Sequence, residues 1–177
     1  SSTITEVKVD KEDGYELTQD PDNLFWNILD GKTSERADTD KAGTVTSAIG
    51  SLSYDSFVDY NCTDDSKYGF DDPYAVITAK YTEEEAVEDD SEDAEDTSES
   101  TDETDTDPET SSEDESTTDG DTEDEAETKT VDKEITIYVG DETGSDRYVK
   151  VNDSKEVYTI TEDSLTDILD SKVSDFY

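Results

Sequence analysis

The chain has 177 residues, 54 acidic and 13 basic, for a net charge of −41, and 28% of its residues are hydrophobic. No basic stripe exists to neutralise phosphates, which argues against duplex nucleic acid and against docking on an anionic membrane surface. The average composition is that of a disordered chain, but residues 82–128 alone hold 25 acids and no Lys or Arg. The remainder, at 29 acidic and 13 basic residues, carries all ten Tyr, all four Phe and Trp26, enough for an ordinary core.

In chain order, residues 3–9 (TITEVKV) place Val7 and Val9 on one face and predict a strand. Asp13-Gly14 predicts a tight hairpin turn into a second strand at Tyr15–Thr18. NLFWNIL (23–29) is apolar on both faces and reads as a buried strand, followed by a polar loop, DGKTSERADTD. Ala42, Val45, Ile49 and Leu52 then fall at helical spacing, with Asp38, Thr39 and Asp40 as N-cap candidates. YDSFVDYN (54–61) reads as extended and SKYGFDDP (66–73) as a turn, because Pro73 restricts Asp72 to extended geometry. YAVITAKY (74–81) is the expected central strand.

Beyond the acidic tract, KEITIYVG (133–140), DRYVKV (146–151) and EVYTI (156–160) predict three strands separated by short turns. TEDSLTDILDSKV predicts a closing helix capped by Thr161, with Leu165, Ile168, Leu169 and Val173 inward. Together these elements predict an α+β fold: antiparallel strands, two amphipathic helices on one face, and a weak β-β-β-α internal repeat. Residues 1–81 and 131–177 are read as the two halves of one domain, and 82–130 as an acidic low-complexity insertion at a hairpin tip. Lengthening a loop from about 4 to about 47 residues costs only about 2 kcal/mol, so the insertion is tolerable. Its acids and Ser/Thr cannot pack, which predicts a solvated, disordered spacer.

Chemistry is constrained by what is missing. There is no histidine, which removes Ser-His-Asp, Cys-His and His-containing metal sites together. The single cysteine, Cys62, allows no intrachain disulfide and reads as a small core residue rather than a nucleophile. The glycines read as turn residues, not as a phosphate loop. Around Asp119-Gly120 the calcium-loop pattern fails: Thr117 and Ala126 stand where ligands are needed. Trp26, Tyr68, Phe70 and Tyr74 read as core and turn packing, with an aromatic binding surface as the alternative. The triplets at Asn61 and Asn152 match the glycosylation pattern only at its chance frequency. No apolar run approaches the roughly 20 residues of a membrane span. With no Met at any position, the chain reads as a fragment or a mature form.

The stretch DDSKYGFDDPYAVITAKY, followed later by ITIYVGDETGSDRYVKVNDSKEVYTI, resembles the bacterial domain-of-unknown-function family 4340. The family's Tyr-Gly-Leu-x-x-Pro turn stands here as Tyr68, Gly69, Phe70, Asp71, Asp72 and Pro73, with Phe for Leu. A strand ending in Gly (Ile135–Gly140), a strand with Tyr148, and Val157-Tyr158 follow in order, so the resemblance spans most of residues 3–170 apart from the tract. It implies an extracytoplasmic protein of a bacterium, tethered by an N-terminal segment absent from this chain, and encoded in some cases beside auxiliary components of gliding-type ABC transporters. It supplies no catalytic residue, cofactor or metal ligand. The expected function is therefore a non-enzymatic structural or protein-interaction module on a cell surface, its protein partner unidentified. The alternative is a surface protein that binds calcium or other cations weakly through the acidic tract. A carboxylate hydrolase is a third reading and would need a cleft with two converging acids.

Overall fold

The structure is a computed structural model and describes residues 2–87 and 127–177. Among the described residues nine strands form one sheet: β1 (Ser2–Asp10), β2 (Tyr15–Gln19), β3 (Trp26–Asp30), β4 (Thr33–Arg36), β5 (Ser56–Asp59), β6 (Ala75–Ala86), β7 (Thr128–Thr143), β8 (Asp146–Val151) and β9 (Val157–Thr161). Two helices, α1 (Thr39–Gly50) and α2 (Glu162–Leu169), complete the α+β fold. The spatial order is β4-β3-β2-β1-β6-β7-β8-β9-β5, and the registers of β1/β2, β1/β6, β2/β3, β3/β4, β5/β9, β7/β8 and β8/β9 are antiparallel. Three strands lead to a helix twice: β1–β3, with β4 added, then α1; and β7–β9, then α2.

Alternation fixes which side of each strand is buried. Val7 and Val9 of β1, Tyr15 and Leu17 of β2, Ile77 and Ala79 of β6, and Ile137 and Val139 of β7 all join one core. Ala42, Val45 and Ile49 of α1 and Leu165, Ile168 and Leu169 of α2 cover it. Asp38 starts α1 by accepting a hydrogen bond from the Lys41 amide at 2.8 Å. A compact body comprises residues 1–84 and 130–177, and Glu85–Lys129 forms a separate unit. β6 includes Thr82–Ala86 and β7 includes Thr128–Thr130, residues that composition groups with the insertion. The expected disorder of the insertion falls largely on residues 88–126, outside the described ones.

Several expectations are corrected. Leu24 and Phe25 are 64% and 42% exposed and precede β3 rather than belonging to a strand buried on both faces. Leu24 has a φ of 60°, in a turn closed by hydrogen bonds from the Leu24 amide to the Asp20 carbonyl and from the Asp20 amide to the Phe25 carbonyl. The polar segment 30–40 is not all loop. Thr33–Arg36 forms β4, a fully exposed strand held by its backbone pairing with β3. The closing helix ends at Leu169; Val173 belongs to a following 3-10 turn, Val173–Phe176. Thr161 does stand at the N-cap of α2, but its hydroxyl meets the Ser164 hydroxyl at 2.8 Å instead of a backbone amide. Phe176, fully buried, packs on Tyr15 with ring centroids 5.0 Å apart.

Candidate functional site

The described sheet has two edges of opposite character. β4 presents Thr33, Ser34, Glu35 and Arg36. Charged side chains of this kind discourage another strand from pairing. β5 presents Ser56, Phe57, Val58 and Asp59, flanked by Tyr54 and Tyr60. Tyr54, Phe57, Val58 and Tyr60 are 49%, 57%, 37% and 78% exposed. A sheet edge lined with apolar and aromatic side chains is what protein–protein contacts use and what isolated domains avoid.

Two backbone bonds fasten the segment. The Asp55 amide donates to the Thr159 carbonyl at 2.7 Å and the Cys62 amide to the Lys155 carbonyl at 2.8 Å. Between them the register with β9 shifts from Phe57↔Tyr158 to Asp59↔Val157, leaving Val58 as the extra residue of a bulge. The aromatics gather on Tyr158: the Tyr54 ring stacks on it at 4.0 Å and 15°, and the Phe57 ring meets it edge-on at 5.3 Å and 70°. The Tyr158 hydroxyl donates to Glu156 at 2.9 Å, and this bond raises its pKa. Burial, then the Glu156 charge, raises that of Tyr54. Asp59 is held ionised, its pKa lowered by hydrogen bonds from the Asn61 amide and the Tyr68 hydroxyl, with Lys67 3.8 Å away. The edge thus combines protonated phenols with fixed negative charge.

The sequence candidates separate in space. Trp26 lies in the main core, whereas Tyr68 and Phe70 form a smaller cluster with Cys62 and Val157, so these aromatics make no common surface. Tyr74 is exposed and lies under the Arg147 guanidinium at 4.0 Å. Arg147 also donates to Glu162 at 3.1 Å, Glu142 at 2.7 Å and the Gly140 carbonyl at 3.2 Å, a structural knot between β8 and α2. Cys62 is buried, its thiol directed at the Asp64 carbonyl at 3.4 Å. The Asn152 side chain accepts from the Thr136 amide, and Asn152 has a φ of 50°, so it serves the β8–β9 turn. A depression of about 490 Å³ is lined by Lys11, Glu12, Asp13, Tyr74, Leu169, Asp170 and Lys172. Its charges are partly spent on one another, with Lys172 3.7 Å from Asp13. Among the described residues, no three His, Cys, Asp or Glu side chains gather to hold a metal ion.

The Tyr-Gly-Phe turn has a packing role. Gly69 takes a φ of 81°, and the Tyr68 carbonyl accepts from the Asp141 amide at 2.9 Å. A Cβ on Gly140 would stand 2.2 Å from the Tyr68 carbonyl oxygen and 3.1 Å from the Phe70 ring. Gly140, the expected end of its strand, lies inside β7, which runs on to Thr143; the turn and this glycine are therefore two sides of one contact. A family model described as Domain of unknown function (DUF4340) matches residues 36–177. The chain belongs to that family. The match begins at the last residue of β4, so β1–β3 lie outside it, whereas the resemblance read from the sequence starts at residue 3. Both sides of the DUF4340 turn contact, and the aromatic edge, lie inside it. No curated protein and no solved structure matches the chain.

The sequence marked 54–61 only as extended. The exposed aromatics were legible as Tyr54, Phe57 and Tyr60 around two Asp. Their place at an edge follows from β5 crossing over to pair beside β9, which no local pattern encodes.

Proposed function

We propose that the protein is a non-enzymatic protein-interaction module on the extracytoplasmic side of a bacterial envelope, and that β5 is the edge it offers. The observation that carries this is the contrast of edges: β4 is guarded by charge, β5 is aromatic and exposed. The extracytoplasmic setting rests on the resemblance to the family alone. No helix among the described residues is long and apolar enough to cross a membrane.

The test places a photo-crosslinking side chain at Tyr60 or, as control, at Thr33 in producing cells. A discrete protein adduct from Tyr60 and none from Thr33 is expected, and protease added to intact cells should digest the protein. Equal adducts from both positions, or none from either, would remove the interaction reading. Full protection from protease in intact cells would remove the extracytoplasmic one.

A further inference from the structure

Resting on the reading of β5 as an interaction edge, we propose that its occupant is an extended segment of another protein, rich in Lys or Arg, that adds to the sheet as a tenth strand. The geometry supplies the backbone half of such recognition. Among the described residues β5 is the terminal strand and pairs with β9 alone, so no described strand takes up the ladder groups of its outer side. The Tyr54–Phe57–Tyr158 cluster supplies an apolar footing for one side chain of an incoming strand.

Charge decides the kind of strand. The stretch Ser53–Asn61 contains Asp55 and Asp59 and no Lys or Arg. Asp59 already pairs with Lys67 at 3.8 Å and accepts from the Tyr68 hydroxyl, so the carboxylate offered to an incoming cation is Asp55, which is exposed. A second copy of the chain is disfavoured by charge, since each copy carries a net charge of −41. A strand with Lys or Arg opposite Asp55 reverses that term.

The full chain is titrated with three peptides: an eight-residue alternating Lys-Val peptide, its Glu-Val counterpart, and the Lys-Val peptide with Pro at two central Val positions. Amide shifts and hydrogen exchange are read residue by residue. The Lys-Val peptide is expected to shift Ser56–Asp59 and slow exchange there. The Glu-Val peptide should do neither, and the Pro peptide, which keeps the charge but cannot ladder, should bind at least tenfold more weakly. Phe57→Lys and Val58→Lys, both at exposed positions, should each weaken the Lys-Val peptide at least tenfold, and Asp55→Lys should turn the preference toward Glu-Val. Lys-Val shifts confined to residues 82–128, or equal binding of the Pro peptide at β5, would overturn the cationic-strand proposal while leaving β5 open to another partner. A dimer in sedimentation that Phe57→Lys dissolves would also overturn it, in favour of a second copy. Crosslinking at Tyr60 tests the interaction reading separately, whatever the peptides do.

Discussion

Gly140 and Gly43 show how the same residue type carries opposite weight. At Gly140 a methyl group would run into the Tyr68 carbonyl at 2.2 Å and the Phe70 ring, so the turn must lift from β7. Gly140→Ala is expected to destabilise by about 1–3 kcal/mol in urea unfolding. Gly43 lies inside α1, where an added methyl group meets no described atom within 4 Å beyond the helix's own backbone and the adjoining residues. There Gly43→Ala should stabilise by about 1 kcal/mol, through helix propensity alone. Tyr15 gives a pH prediction. Its hydroxyl donates to the Ile168 carbonyl at 2.8 Å in the core, and burial raises its pKa above the ordinary 10.0. The folded state then holds the proton more tightly than the unfolded one. That contribution is whole below pH 10.0 and is lost as pH rises above it. Tyr15→Phe should cost about 1 kcal/mol at neutral pH and should fall less steeply than the parent in urea midpoint above that pH.

At the scale of elements, what was legible follows from how each element is held. β1 and β7–β9 are held by side chains alternating into the core, and alternation is visible in sequence. β4 is held by backbone bonds to β3 and by Arg36 over the Phe25 ring at 3.6 Å, with four exposed side chains, so its sequence reads as loop. NLFWNIL misled because hydrophobicity does not say which residues enter the ladder: Leu24 turns the chain at a φ of 60°, and Trp26 begins the strand. The last turn was hidden for a similar reason. Val173 continues the helical spacing of α2, yet the chain bends after Leu169 and Phe176 closes the core. The Asp38 amide donates to the Phe176 carbonyl at 2.7 Å, tying this turn to the start of α1. Phe176→Ala should therefore cost about 3–5 kcal/mol, read as a lower urea midpoint, although it lies one residue from the end of the chain.

For the whole molecule, charge is the dominant variable. At −41, self-repulsion opposes compaction, and salt screens it over about 8 Å at 0.15 M. The melting temperature should rise as NaCl is added from about 0.01 to about 0.15 M. Calcium at matched ionic strength separates screening from a shaped site: no further rise is expected, and an additional rise would move the function to the acidic tract. The candidate site was the least legible part, because it is a property of strand order. Residues 54–61 gain their meaning only when β5 lies beyond β9, at the edge of the described sheet.

That strand order also decides what chain continuity is for. β5 comes from the portion before the acidic residues and lies against β9 from the portion after them; β6 sits beside β7, and α1 rests on α2. The two portions are interlaced at the middle of the sheet, at one edge and in the helical layer. A cut among residues 88–126 would sever the polypeptide without parting the body. Residues 1–87 and 127–177 produced as two chains should co-elute in gel filtration as one noncovalent particle. In that sense the protein is already a pair of complementing fragments, with the acidic segment as the covalent convenience that keeps them at high local concentration.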